Sequence, residues 1–225
     1  MQNLNKAVTD DVEHLRKWAA GSKVSLEAVQ LFGENNAFIE MDIDDVIYSR
    51  IYGKSYKADC SIPLHDLSYL KLLHFDINHN ICIGELICNK SIAKELIEIF
   101  QELYNAGYPI QKMVLIDEYN ADDEVSMQDN NSSAFNYRPI VGGGKLSKHA
   151  IGLAIDINPL YNPYVKITEG ELYIAPDNAK QYVDRNQEFP YKICKDDLCY
   201  RLFTKYGFEW GGDWVTRKDY QHFEK

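Results

Sequence analysis

Residues 147–156 read SKHAIGLAID, and this stretch decides how the second half of the chain folds. From Gly152 onward small and branched side chains alternate, which predicts a β-strand with its period of two residues. The branched side chains then share one face of the strand, while Gly152, Ala154 and Asp156 share the other. A strand face with two tiny residues before a carboxylate leaves room for something to lie against it.

Two histidines accompany this strand, one directly before it and one near the C-terminus. A turn before the strand can bring the ring of His149 over the open space in front of Asp156. His222, from a distant segment, adds a second imidazole. Together with Asp156, the two histidines make three ligands and leave a fourth zinc position open for water. An open position is typical of catalytic zinc, because the bound water becomes a nucleophile near neutral pH. Asp219, three residues before His222, is then placed to take a proton from that water.

Spacing alone leaves a structural alternative open for each of these residues. A single histidine is more often a polar core or surface residue, and a single aspartate after a strand usually caps a turn. Short motifs of this kind match many unrelated chains by chance.

Several motifs together resemble the VanY-like D-alanyl-D-alanine carboxypeptidase family of zinc peptidases. The pattern SxHxxGxAxD of residues 147–156 is followed by GFEWGGDW at 207–214 and by DYQHFE at 219–224. The preceding SSAFNYRPI, residues 132–140, resembles an arginine-bearing segment of the same family. The similarity covers roughly residues 110–225. It implies an α+β fold of the Hedgehog/DD-peptidase type, with a central antiparallel sheet and flanking helices.

The resemblance also implies a role for each motif residue. His149, Asp156 and His222 match the ligands of one Zn²⁺ ion. Asp219 matches the general acid/base, at a position where the dipeptidase branch carries Glu. Glu224 is a candidate to orient one of the metal ligands by contacting that ligand rather than the metal.

Two further residues are expected to contact substrate. Arg138 matches an arginine that binds either the polarised carbonyl oxygen or a substrate carboxylate, and its guanidinium fork suits both. Ser147 is a candidate substrate contact, with capping of the turn that delivers His149 as its structural alternative. Trp210 and Trp214 are expected to pack the C-terminal segment, and one of them is a candidate to line the cleft.

The implied function is hydrolysis of peptidoglycan stem peptides by a zinc-activated water. The family includes D-Ala-D-Ala carboxypeptidases and endopeptidases that cut the L-Ala-D-Glu bond, and the ligand set does not separate them. A different class stays open: a zinc-stabilised module that binds cell-wall peptides with little or no turnover.

Composition restricts the partners and the location. A formal net charge of −10 at pH 7 argues against a nucleic-acid partner, because phosphate contacts need clustered Lys and Arg. No apolar run approaches the roughly 18 to 20 residues of a membrane span. Residues 1–6 contain no signal-peptide core. We expect a cell-envelope or secreted protein whose export signal has been removed, with a cytoplasmic location left open.

The rest of the chain predicts an α+β domain. No repeat or linker divides residues 1–225, so one domain is expected, with its catalytic core at about 110–225 and an N-terminal extension. Periodicity predicts helices at 9–20, 91–106 and 195–206, a hairpin at 164–174, strands within 37–56 and at 113–116, a turn or coil at 63–75 and a long loop at 117–147.

Overall fold

The computed structural model describes residues 5–138 and 146–225. Its helices in these ranges are α1 (Lys6–Lys17), α2 (Leu26–Phe32), α3 (Asp45–Ile51), α4 (Lys90–Asn105), α5 (Asp123–Gln128) and α6 (Leu198–Lys205). Its strands are β1 (Lys23–Val24), β2 (Ile39–Asp42), β3 (Leu67–Phe75), β4 (Ile81–Asn89), β5 (Ala154–Asp156), β6 (Tyr164–Thr168), β7 (Glu171–Ala175), β8 (Glu209–Trp210), β9 (Lys218–Asp219) and β10 (His222–Glu224). The α+β prediction is confirmed.

The N-terminal half is built on an antiparallel sheet with strand order β1-β4-β3-β2. Strands β3 and β4 pair along their whole length, from Leu67 opposite Asn89 to Phe75 opposite Ile81. Helix α4 packs on this sheet, and its apolar side chains recur at helical spacing. Five of them are fully or almost fully buried: Ile92, Leu96, Ile99, Phe100 and Leu103.

The C-terminal half contributes two smaller antiparallel sheets, β5-β10-β8 and β7-β6-β9. The predicted hairpin at 164–174 is confirmed as β6 and β7, which pair from Tyr164 opposite Ala175 to Thr168 opposite Glu171. The antiparallel strands are thus distributed over three sheets in the described ranges.

Backbone hydrogen bonds join the two halves beside β5. The N–H of Phe135 donates to Ile87 in β4 at 3.0 Å, and the N–H of Asn89 donates to Gly152 at 2.8 Å. Ser133 bridges to Asp156 in β5. Buried side chains of both halves, from Val8 to Phe223, belong to one hydrophobic cluster. The predicted single domain requires such a shared core.

Three predictions for the first half were wrong in type or bounds. Helix α1 begins at Lys6 rather than at residue 9, because the side chain of Asn5 accepts from the Ala7 N–H and caps it. The stretch 37–56, predicted to hold strands, contains β2 but also helix α3, with Asp44 as its cap. The stretch at 63–75 is mainly β3, whose Leu-rich sequence reflects burial on both faces.

Three predictions between residues 113 and 206 also need correction. Residues 113–116 form no named strand, although the Met113 carbonyl accepts from the Glu85 N–H of β4 at 2.9 Å. The stretch 117–147 contains α5, while its residues 139–145 lie outside the described part. Helix α6 begins at Leu198, three residues later than predicted, because the Asp197 side chain accepts from the Cys199 N–H.

Within residues 5–138 and 146–225, no helix combines the length and apolar character needed to cross a bilayer.

Candidate metal centre

Three elements place the candidate ligands at one end of the sheet β5-β10-β8. His149 opens a short 3₁₀ turn, His149–Ile151, which ends at Gly152 with a φ of 72°. Asp156 is the last residue of β5, and His222 is the first residue of β10. These strands pair antiparallel with His222 directly opposite Asp156. The strand and the turn predicted from SKHAIGLAID are confirmed.

The three side chains converge on a small, buried volume. Nε2 of His149 lies 3.3 Å from Oδ2 of Asp156, and Nδ1 of His222 lies 3.0 Å from Oδ1 of Asp156. The two imidazole nitrogens are 3.1 Å apart. One ligand atom from each residue lies within 4.8 Å of the other two. This arrangement allows the three residues to hold a metal ion.

The outward nitrogen of each imidazole already has a hydrogen-bond partner. Nδ1 of His149 lies 2.6 Å from the carbonyl oxygen of Ala134. Because a carbonyl only accepts, Nδ1 carries the proton and Nε2 presents its lone pair to the centre. Nε2 of His222 lies 3.0 Å from the carboxylate of Glu224, so Nδ1 is the nitrogen that faces inward. Two oriented imidazoles and a carboxylate form a donor set that fits zinc.

Neighbouring side chains control the ionisation of Asp156 and His222. Burial opposes ionisation of Asp156, but the two neighbouring imidazoles outweigh it and hold the pKa of Asp156 well below its usual range. Burial also opposes protonation of His222, yet hydrogen bonds to Asp156 and Glu224 raise its pKa to about 10. The centre therefore strongly attracts positive charge.

Asp219 brings a second carboxylate close to this group. The residue lies in β9 opposite Tyr164, and its Oδ1 is buried with no hydrogen-bond partner among the described residues. Burial and the negative charge of Asp156 raise the pKa of Asp219 to about 7, although His222 opposes the shift. A carboxyl group that titrates near neutrality is suited to exchange protons at neutral pH.

Arg138 is near the centre along the chain but is engaged elsewhere. The N–H of Asn136, two residues before it, donates to the His149 carbonyl at 3.2 Å. The guanidinium of Arg138 forms an ion pair with Asp123 at the start of α5. Its Nε is buried and has no partner within the described part of the chain. Its contact with substrate stays a prediction.

Ser147 has a structural contact in the turn that carries His149. Its Oγ accepts a hydrogen bond from the Ala150 N–H at 3.1 Å. This is the capping role expected as its structural alternative, and its contact with substrate stays a prediction.

Several neighbours of the centre had weak or no signals in the sequence. The ring of Trp214 packs on His222 at 5.4 Å between centroids, and a tryptophan that lines a substrate cleft stays a prediction. Arg217 stacks on Trp214, and Gln221 is almost fully buried between Asp219 and His222 along the chain. The Ala134 carbonyl has no sequence signal, because any residue supplies one. Glu224 contacts His222 as proposed.

Comparison with known proteins addresses the same segment. Residues 141–225 match a family model described as D-alanyl-D-alanine carboxypeptidase. The resemblance drawn from the motifs is confirmed over these residues, which are less than half of the chain. The match includes His149, Asp156, Asp219 and His222 but begins after Arg138. Searches of curated proteins and of solved structures found no match.

Proposed function

We propose that this protein is a zinc-dependent peptidase that hydrolyses peptidoglycan stem peptides. The observation that carries the proposal is the convergence of His149, Asp156 and His222, with the outward nitrogen of each imidazole already bonded. The match of residues 141–225 to the D-alanyl-D-alanine carboxypeptidase family supports the reaction and the substrate class. Cell-wall peptides as substrate favour a place in the cell envelope or outside the cell.

His149, Asp156 and His222 would hold one zinc ion through two nitrogens and a carboxylate oxygen. Zinc held by three protein ligands supplies a Lewis acid and an acidified water. The hydrogen bonds that the imidazoles donate to the Ala134 carbonyl and the Glu224 carboxylate hold the rings in the orientation that binding requires.

Asp219 is the proposed proton carrier. Its carboxylate takes a proton from the attacking water and returns it to the amine that leaves. The buried Oδ1 has no competing partner in the described structure, so it is available for this exchange. General acid–base catalysis of this kind contributes about 10²- to 10⁴-fold to a rate.

Arg138 is the proposed partner of the carbonyl oxygen. A guanidinium can stabilise the negative charge that grows on this oxygen during attack. Its ion pair with Asp123 fixes one side of the fork and leaves the buried Nε unpartnered. The fold that these residues serve is proposed to be of the Hedgehog/DD-peptidase type.

The first test compares variants on a natural substrate mixture. Zinc-loaded wild type, Asp219→Ala and Asp213→Ala are incubated with soluble muropeptides, and the products are read by mass spectrometry. Asp213 is a matched control, because it is an exposed carboxylate of the same segment that pairs with Lys195. We expect wild type and Asp213→Ala to cleave, and Asp219→Ala to be slower by about 100-fold or more. The mass lost identifies the bond.

Each failure has a different meaning. Equal cleavage by Asp219→Ala and wild type would remove Asp219 from the mechanism. No cleavage by any protein, with one equivalent of zinc bound, would favour the wall-peptide binding module. A wild type that binds no zinc after reconstitution would refute the metal centre itself.

A further inference from the structure

Arg138 and Arg217 differ in their counter-charge. Arg138 is paired with the carboxylate of Asp123. Arg217 takes part in no ion pair and donates no side-chain hydrogen bond within residues 5–138 and 146–225, and it is exposed. A negatively charged group of a ligand would meet a cation without a counter-ion at Arg217. At Arg138 it would meet the carboxylate of Asp123 as well as the guanidinium.

Trp214 connects Arg217 to the centre. The Trp214 ring lies 5.4 Å from the His222 ring, measured between centroids. The guanidinium carbon of Arg217 lies 4.4 Å from the centre of the same Trp214 ring. A guanidinium held over an aromatic ring is oriented at little further entropic cost, and the N–H groups along its edge stay free to donate.

The charges of Arg217 and Asp219 both act on Tyr164. Tyr164 lies opposite Asp219 in the pairing of β6 with β9. The pKa of Tyr164 is raised mainly by burial, and the charges of both Arg217 and Asp219 act on it in opposite directions. The Tyr164 hydroxyl group therefore lies within electrostatic reach of both side chains.

We propose that Arg217, stacked on Trp214, binds a free carboxylate of the peptide substrate, which leaves Arg138 to the scissile carbonyl. This inference rests on the proposed function and narrows its substrate class to peptides with a carboxylate close to the bond that is cut. Carboxylates bind guanidinium through two parallel hydrogen bonds, so Arg217 presents the geometry that such a group needs. Stem peptides offer this chemistry either at the C-terminus or at an α-carboxylate within the chain.

The test uses muropeptides that differ in one carboxylate at a time. Zinc-loaded wild type, Arg217→Gln, Arg217→Lys and Arg16→Gln are compared on peptides with free carboxylates, with a C-terminal amide, and with an amidated internal α-carboxylate. Arg16 is the charge-matched control, because it is exposed on α1 and pairs with Glu13. Separate values of kcat and KM are measured for each combination of protein and peptide.

Charge-assisted hydrogen bonds of about 1.5 to 3 kcal/mol correspond to roughly 10- to 100-fold in KM. We expect Arg217→Gln to raise KM for the free carboxylate form by that factor, with kcat within about threefold, as for lost uniform binding. If amidation of one carboxylate abolishes the difference in KM between wild type and Arg217→Gln, that carboxylate is the one that Arg217 binds. We expect Arg217→Lys to recover part of the affinity. An equal rise in KM for all peptides, or no rise, would overturn the proposal.

Failure of the proposed function is distinguishable from failure of this inference. If wild type cleaves no peptide, the function has failed, and the same peptides are then titrated by calorimetry into wild type and Arg217→Gln. Weaker binding only of the carboxylate form still supports the role of Arg217. Equal affinities of the two proteins for that form refute it.

Discussion

Each imidazole of the candidate centre is fixed by the atom behind it. Behind His149 that atom is a backbone carbonyl, which no side-chain substitution removes. Behind His222 it is the carboxylate of Glu224, whose own pKa is lowered by the hydrogen bond to that histidine. Glu224 is therefore the one orienting contact that mutagenesis can address directly.

We expect Glu224→Ala to weaken zinc binding by about 10- to 100-fold, because an outer carboxylate fixes the ring and raises its basicity. Competition with a chromogenic chelator measures the affinity. Glu209→Ala is the matched control, since Glu209 lies opposite Glu224 in the β8–β10 pair and is exposed. A loss of affinity that is equal in the two variants would show that general charge, and not the contact with His222, is responsible.

At the residue scale, the sequence predicted the candidate ligands but not their surroundings. His149, Asp156 and His222 were readable because strand alternation and motif spacing are local properties of the chain. The partner of Arg138 was not readable, because Asp123 comes close only through the fold of α5. The Ala134 carbonyl was invisible for the more general reason that backbone acceptors carry no sequence signature.

At the scale of elements, the turn that carries His149 depends on the close backbone contact between Gly152 and the end of β4. A Cβ atom on Gly152 would lie 2.6 Å from the Asn89 nitrogen, at a φ of +72°. The same Asn89 N–H donates to the Gly152 carbonyl, and its side chain caps α4. The close approach therefore joins the turn, the end of β4 and the start of α4.

We expect Gly152→Ala to lower the free energy of unfolding by about 3 kcal/mol or more, from backbone strain plus displacement of Asn89. Gly53→Ala is the control, because Gly53 has a similar φ of +78° but nothing within 4 Å of its Cβ position. Its expected loss is about 1 kcal/mol, from strain alone. Urea unfolding measures the free energy of unfolding of both variants. Equal losses would show that the contact between Gly152 and β4 leaves room for a Cβ atom.

The type of an element was predictable where its apolar residues recur with a regular period. The prediction failed where burial on both faces removes that period. Helix α4 was predicted within one residue at each end, because one face is apolar and Gly107 follows it. Strand β3 was missed, because a strand covered on both faces shows no alternation. The small helix α3 was missed because its Ile and Tyr residues favour strands by propensity, whereas the Asp44 cap favours a helix.

At the scale of the whole molecule, one histidine outside the candidate centre links stability to pH. His74 lies in β3, almost fully buried, and its Nδ1 donates to the Ile110 carbonyl at 2.7 Å. Its Nε2 is buried with no partner in the described residues. Burial lowers the pKa of His74 to about 4, although backbone contacts and the charge of Asp76 oppose the shift.

The sign of the effect follows from which state binds the proton. The unfolded chain protonates this histidine below a pKa of about 6.5, whereas the folded protein does so only near 4. The contribution to stability is therefore complete above pH 6.5 and is lost as the pH falls from 6.5 to 4. We expect wild type to lose about 2 to 3 kcal/mol more than His74→Asn between pH 7.5 and 4.5, measured by urea unfolding. Asparagine can keep the hydrogen bond to Ile110 without titrating, and all other groups are common to both proteins. Parallel pH dependences would mean that His74 takes up its proton at the same pH in the folded and the unfolded protein, and that the core around β3 admits water.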